Sequence, residues 1–351
     1  MLSRILFGAA LVVALASCTN EPAVPRPDLS GTDVDLTVLR FDRALAEVDT
    51  SAAGGGAAGA MSRLGGAFGD FTAVYFTHLI PLRRGDLSPA EQRAAFRAYL
   101  DYPLRQRVSQ LVSQRFPDDR VDELADAVRR GLQHYAYYLP DSPVPDTLVT
   151  FESTFELAAF LYGDNNLAVG LDFFLGPDFD YAALNPEETI FSDYLTRTYT
   201  PEHLPGKALR ALLDDRLPRP RAGRLLDYLV YEGKKLYALR HLLPAAPDHV
   251  VFEVSPEEMG WLRENETQIY AYLQREELLY STDAARIRKY TQPGPSTQGM
   301  PPESPGGAVN YLGYRIVSAW MAAHPGADWA ADLFPLTDGQ QLLTQARYKP
   351  R

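Results

Sequence analysis

The sequence predicts one α+β domain that is predominantly helical and carries a small β-sheet of about three strands. Three observations predict it: apolar residues recur at helical spacing over most of the chain, short β-type runs occur only near its middle, and no internal repeat is visible. The 351 residues are enough for one large domain, and 46% hydrophobic with 23% charged residues is typical of a folded globular protein.

Helices are predicted before the sheet. Ser88 and Glu91 have the spacing of a capping box, in which each side chain bonds the other residue's main chain, so a helical region should begin there. Residues 51–60 are almost all Gly and Ala, which indicates a flexible loop. Residues 64–79 follow this loop, combine aromatic residues with helical spacing, and should anchor a core. The predicted helical regions are residues 36–48, 64–79, 88–116 (with an interruption at Pro103) and 118–138.

The strands are predicted where the apolar pattern changes its period. Residues 147–154, 155–162 and 166–174 are short runs rich in Val, Phe and Leu, and Gly163-Asp164-Asn165 indicates a hairpin turn between the last two. After the sheet the helical pattern returns. The helices predicted in this second half are residues 187–199, 222–243, 256–280 and 308–323.

The amino terminus has the features of a lipoprotein signal peptide over residues 1–17. Arg4 supplies the positive charge, and the apolar run over residues 5–16 is shorter than the ~20 residues that span a bilayer. Leu15-Ala16-Ser17-Cys18 resembles a lipobox, which predicts acylation of Cys18; an ordinary signal peptide with a chance Cys is the alternative. The predicted organisation is a signal peptide at 1–17, a lipidated Pro-rich tether at 18–31 and an α+β domain at 32–351.

The charge of the chain constrains its partners. It has 34 Lys and Arg against 45 Asp and Glu, a net charge of −11. An acidic chain without a basic block is a poor candidate for nucleic-acid binding, since phosphate contacts need a positive surface. Charge of this sign also disfavours an anionic bilayer, so the acyl chains on Cys18 should provide the membrane attachment.

Several stretches, in order along residues 30–350, resemble the GldB family of gliding-motility lipoproteins. Tyr311 and Tyr314 stand where that family commonly has Trp, and Gly307 where it commonly has Arg. The matching stretches are residues 170–176 (GLDFFLG), 231–237 (YEGKKLY), Trp261 with Asn265-Glu266, residues 278–283 (LLYSTD), residues 304–317 and the closing Tyr348-Lys349-Pro350.

The resemblance implies a non-enzymatic component of the machinery for gliding motility and adhesin secretion in Bacteroidota, where type IX secretion exports adhesins. It further implies a protein that is lipid-anchored to the cell envelope, faces the periplasm and has protein partners in that machinery. The resemblance does not decide whether the protein is anchored to the inner or the outer membrane.

The second half of the chain also resembles, distantly, the zincin peptidases. Tyr231-Glu232-Gly233 would correspond to the helix that supplies their third metal ligand. The first two ligands should come from an H-E-x-x-H helix, but no two of the six His are four residues apart. No catalytic residue, metal or cofactor is therefore predicted, and the scaffold would be a degenerate one. The alternative is a periplasmic zincin-descended hydrolase or a metal- or ligand-binding protein.

Glu232 is the most conspicuous polar residue, since it lies in an otherwise apolar helical run. A buried carboxylate needs a partner, and the candidates are Lys234, Lys235, Glu266, Asn265 and Arg315. A polar packing network or a solvated face is the favoured interpretation, and a functional cleft lined by Asp172, Glu232 and Glu266 is the other. Asp283 is interpreted as a helix cap rather than an acid or base. The candidate cleft residues are Asp172, Glu232, Lys234, Glu266, Asp283 and Arg315.

Gly233 predicts a close approach of a neighbouring element to this helix. Glycine within a helix costs ~1 kcal/mol relative to alanine, so a contact should offset that cost. If the helix is central, its interior face should carry Leu225, Leu229, Leu236 and Leu243.

Overall fold

The computed structural model describes residues 24, 26–80, 87–185, 187–220 and 223–351. These residues form the predicted α+β fold, in which helices surround one small sheet. The predicted signal peptide and Cys18 lie outside the described residues. No helix within the described ranges is both long and apolar enough to cross a membrane.

The sheet has four strands, which are β1 (Thr37–Arg40), β2 (Thr147–Phe151), β3 (Ala159–Tyr162) and β4 (Asn166–Gly170). Their order is β1-β2-β4-β3; β1 and β4 run parallel to β2, and β3 is antiparallel to β4. Strand β1 is present in addition to the three predicted strands. It occupies the start of the region predicted as a helix over 36–48, because pairing with a distant strand outweighs its local helical spacing.

The two faces of the sheet bury different residues. Leu148, Leu167 and Val169 belong to the larger core, whereas Val149 and Ala168 belong to a smaller one, as the two-residue period of a strand requires. The smaller core contains the aromatic residues predicted from 64–79, and Phe71, Tyr75 and Phe76 are fully buried there.

The helices before β2 are α1 (Phe41–Ala46), α2 (Gly56–Phe68), α3 (Asp70–Val74), α4 (Pro89–Leu100), α5 (Pro103–Arg115) and α6 (Asp118–Tyr138). The Ser88–Glu91 capping box and the interruption before Pro103 are confirmed. The loop predicted over 51–60 is wrong in its second half, where α2 begins. Its alanines are strong helix formers, and Ala57 and Ala60 are buried in the smaller core.

The helices after the sheet are α7 (Asp193–Thr196), α8 (Leu204–Arg216), α9 (Leu225–Leu242), α10 (Asp248–Val251), α11 (Pro256–Glu264), α12 (Glu266–Arg275), α13 (Ala284–Thr291), α14 (Val309–Ala323) and α15 (Gly339–Ala346). The helix predicted over 187–199 is reduced to a 3-10 turn and the single turn α7, in a stretch containing β-branched residues that are weak helix formers. The region 256–280 divides at Asn265.

Helix α9 lies centrally and packs against α6, α8, α14 and α15. Leu225, Leu229 and Leu236 are buried in the larger core, whereas Leu243 is only half-buried because the helix ends one residue before it. Glu232 on this helix contacts α8 and lines a cavity together with the segment that precedes α14.

Candidate functional site

Glu232 lies in a network of charged side chains between α8 and α9. Arg210 Nη2 donates to Glu232 Oε2 at 2.6 Å, and Lys235 Nζ lies 2.6 Å from Glu232 Oε1. Lys235 also donates to Asp214 Oδ1 at 2.7 Å. Lys235 is a local partner that the sequence offers, whereas Arg210 comes from α8, a helix that the sequence analysis did not predict. Both oxygens of Glu232 therefore have a cationic partner.

A second acidic residue, Glu253, lies beside this network. Lys207 Nζ donates to Glu253 Oε2 at 2.9 Å. Burial alone raises the pKa of Glu253, but Lys207 and Arg210 outweigh it and hold this pKa at about 2. The backbone of Glu253 has a φ of 57°, a left-handed conformation that non-glycine residues seldom adopt and that is often retained at functional sites.

A groove runs across the Arg210–Glu232 pair. One part is a cavity of about 100 Å³ between α7, α9, the residues that follow α10 and the start of α14, and a second part of about 530 Å³ lies beside α13. The two parts share Arg210, Glu232, Thr291 and Pro293, so they lie side by side, and together we call them the Glu232 groove. Its lining contains neither Asp172 nor Glu266.

Asp172 lies instead at the end of β4, where it is fully buried. Its Oδ2 accepts hydrogen bonds from Ser153 N at 3.0 Å and Phe155 N at 2.7 Å. Thr154 and Phe155 have positive φ angles of 57° and 68°, so this carboxylate holds a strained turn after β2. Burial raises the pKa of Asp172 to about 6, although these backbone hydrogen bonds lower it.

A buried ion pair lies near Asp172. Arg105 Nη2 donates to Glu152 Oε1 at 2.7 Å, and the Tyr75 hydroxyl donates to the Glu152 backbone oxygen at 2.7 Å. Burial raises the pKa of Glu152 to about 7, against the opposing effect of Arg105. The sequence analysis missed this pair; the signal available was a Glu directly after an apolar strand.

The remaining candidate residues have structural partners. Lys234 Nζ donates to Phe334 O at 3.1 Å and Leu336 O at 2.6 Å, and burial lowers its pKa to about 7. Glu266 and Arg315 are brought together, with Arg315 Nε lying 2.9 Å from Glu266 Oε2.

Tyr348 also donates to Glu266 Oε1, at 2.6 Å. Asp283 Oδ1 accepts from Ala285 N and Arg286 N, so the interpretation of Asp283 as the cap of α13 is confirmed. Of the six candidate cleft residues, Glu266 and Arg315 thus form an ion pair with each other. Each of the other four makes hydrogen bonds or ion pairs with residues outside the candidate set.

Among the described residues, the side chains near the groove do not supply a metal-binding donor set. Within the described part of the chain, no group of three or more His, Cys, Asp and Glu side chains could hold a metal ion. His203 is buried just before α8, and its Nδ1 lies 2.7 Å from Thr200 Oγ1. Burial lowers the pKa of His203 to about 4.

The chain matches the model of a known protein family. A family model described as gliding motility protein GldB, with the abbreviation for lipoprotein in its short name, matches residues 23–350. No curated protein and no solved structure matches the chain.

Proposed function

Because this chain belongs to the gliding motility protein GldB family, we propose that it acts as a membrane-anchored, periplasm-facing lipoprotein of the gliding machinery and catalyses no reaction. The family establishes a protein related to gliding motility. The lipid anchor, the link to adhesin secretion and the non-enzymatic role are our proposal.

The contact between Arg210 and Glu232 carries the non-enzymatic part of the proposal. In a zinc peptidase, neutral His side chains ligate the metal. Here α8 supplies Arg210, whose guanidinium is always protonated and cannot ligate a cation. With Lys235 on its other oxygen, Glu232 has two cationic partners, which supports a structural role for this carboxylate.

The amino-terminal sequence supports the anchor. The apolar run over residues 5–16 is followed by Leu15-Ala16-Ser17-Cys18, and the only Cys of the chain stands where lipid attachment requires it. Two or more acyl chains bind a bilayer stably where one would be marginal. The polar, Pro-rich residues that follow Cys18 would hold the folded domain away from the membrane surface.

Deletion of the gene in a gliding host tests the role. We expect loss of surface spreading and reduced export of adhesins, both restored by the wild-type gene. Complementation with Glu232→Gln should also restore them, because the proposal assigns no chemistry to this carboxylate. Normal spreading together with normal export after deletion would refute the proposal.

Metal analysis distinguishes the hydrolase alternative. The full-length protein, extracted in detergent, should contain zinc well below one equivalent after mild chelation. Stoichiometric zinc, lost in a Glu232→Gln variant that still folds, would favour a zincin-descended hydrolase instead.

A further inference from the structure

The part of the Glu232 groove beside α13, which we call the α13 cavity, has a volume of about 530 Å³. Two arginines line it, Arg210 from α8 and Arg288 from α13, together with Glu232. Tyr228 and Gln292 add uncharged polar side chains to the lining. A cavity of this volume is large enough for a small organic molecule, so the charges of its lining decide which molecules it suits.

Arg288 brings an unpaired positive charge to the α13 cavity. It is exposed to solvent, and its side chain forms no ion pair or hydrogen bond with any described residue. Two other cations of α13, Arg286 and Lys289, have an acidic neighbour in Asp283. Backbone N–H groups of α13 lower the pKa of Asp283 most, and the charges of Arg286 and Lys289 lower it further. Arg288 is therefore the cation of this helix that both lines the cavity and lacks an ion pair.

Arg210 keeps hydrogen-bond donors for a ligand although it pairs with Glu232. Its Nη2 donates to Glu232, and its side chain is 25% exposed. A guanidinium has five N–H groups in a planar fork, so one bond leaves the others available. Among the described residues, Arg210 has no nitrogen that is both buried and without a partner. Its remaining N–H groups are therefore accessible to solvent or to a ligand.

The charge balance of the α13 cavity is positive. Its lining contains two cations, Arg210 and Arg288, but only one carboxylate, that of Glu232. Glu232 also pairs with Lys235, and Lys235 pairs in turn with Asp214. With these partners counted, the cations still exceed the acidic groups by one. This local excess occurs in a chain whose net charge is −11, and it favours an anion in the cavity.

We infer that the α13 cavity binds a small organic anion whose carboxylate or phosphate group accepts hydrogen bonds from Arg288. Arg210 is available to a second oxygen of the same ligand. Oxyanions suit this arrangement because the guanidinium fork donates two parallel hydrogen bonds to them. Tyr228 and Gln292 would contact the uncharged polar part of the ligand. This ligand site goes beyond the proposed function, which concerns membrane anchoring and the absence of catalysis.

Calorimetric titration of the full-length protein in a neutral detergent tests the inference. The probes are inorganic phosphate, glycerol 3-phosphate and citrate, and glycerol is the uncharged control. We expect saturable binding of at least one of the three anions at concentrations up to about 10 mM, and no binding of glycerol. Arg288→Gln should weaken the binding about tenfold, because it removes both the charge and the guanidinium fork.

Arg286→Gln is the matched control. It removes the same charge from the same helix, but Arg286 lies outside the described lining of the cavity. Its affinity for the anion should stay within about twofold of the wild type, since solvent and salt screen an exposed charge. Glu232→Gln should have the opposite effect to Arg288→Gln. It removes the only carboxylate of the lining and frees Arg210, so the anion should bind more tightly.

Three results would overturn the inference. They are no saturable binding of any of the three anions, an equal loss of affinity in Arg286→Gln and Arg288→Gln, and weaker binding by Glu232→Gln than by the wild type. Circular dichroism should show that all three variants are folded.

Competition distinguishes two sources of the anion. If phosphatidylglycerol in mixed micelles displaces glycerol 3-phosphate, the ligand is a lipid headgroup, and if it does not, the ligand is a soluble anion. Both results support an anion site. Failure of the inference leaves the motility role untouched, since that role is tested by gene deletion, and normal spreading after deletion would leave the anion site untouched.

Discussion

Gly233 on α9 and Gly313 on α14 face each other across a contact between two helix backbones. A Cβ placed on Gly233 would overlap the carbonyl group of Gly313, and a Cβ placed on Gly313 would overlap the carbonyl of Leu229. The predicted close approach at Gly233 is thus confirmed, and its partner is α14. The contact fixes the distance between α9, which carries Glu232, and α14, whose first turn lines the groove.

Replacing Gly233 should destabilise the fold. Gly233→Leu inserts a side chain where main-chain atoms of Gly313 lie, and main chain cannot yield as a flexible side chain can. We expect a loss of ~1–3 kcal/mol in the free energy of unfolding through overpacking. Urea denaturation followed by circular dichroism measures it.

Gly260 offers a control for that variant. It lies within α11, and a Cβ there would meet nothing within 4 Å. Gly260→Ala should be neutral or should stabilise by about 0.5–1 kcal/mol, because alanine is the better helix former. If both variants unfolded at the wild-type urea concentration, the close packing of α9 on α14 would be disproved.

Glu232→Gln should lower stability by about 1 kcal/mol. The change removes the charge that pairs with Arg210 and Lys235 while keeping the size of the side chain. The side chains of Glu232 and Arg210 are 19% and 25% exposed, so solvent screens the interaction and limits the loss. Thermal unfolding at low and high salt provides the measurement.

The Asp126–Arg129 pair on α6 is the control, since its side chains are 48% and 41% exposed. Asp126→Asn should leave the melting temperature unchanged. Normal melting of Glu232→Gln together with lost spreading would contradict our assignment of Glu232 to structure and would indicate a direct functional role.

Lys234 should make stability depend on pH. Its pKa falls from 10.5 in the unfolded chain to about 7 in the folded protein because of burial. Between these values the unfolded chain holds a proton that the folded protein has released, so the stability contribution of Lys234 rises as pH rises from about 7 to 10.5. The rise is at most about 1.4 kcal/mol per pH unit, because the unfolded and folded states differ by at most one proton bound to Lys234.

Comparison with Lys234→Met isolates this effect from the other titrating groups. Methionine fills a similar volume and does not titrate. The stability of the wild type minus that of the variant should therefore increase with pH across this window, as measured by urea denaturation at several pH values. A flat difference would show that Lys234 keeps its proton in the folded protein.

Cys18→Ser should release the protein from the membrane. The change removes the only thiol to which a lipid could attach. We expect an unprocessed or soluble protein after fractionation, whereas the wild type should stay with the membrane after carbonate and salt washing. A Ser variant that survives the same washes in the membrane fraction would reveal another anchor.

Local patterns in the sequence were enough for most of the fold. Helix α6 follows its apolar spacing over the whole predicted range 118–138, and Ser88 and Asp283 cap helices as their spacing indicates. The family followed from short motifs in a fixed order, which the match over residues 23–350 supports. These features depend on residues within a few positions of one another, so one sequence contains the information for them.

Tertiary structure decided the rest. Strand β1 exists because Thr37–Arg40 pairs with β2 more than a hundred residues away, and Arg210 reaches Glu232 only because α8 packs beside α9. The same packing keeps Asp172 away from the groove. It also brings Glu266 into an ion pair with Arg315 and into a hydrogen bond with Tyr348. The charge partner of a buried residue is fixed by which elements pack together, and that choice depends on the free energy of the whole core rather than on local spacing.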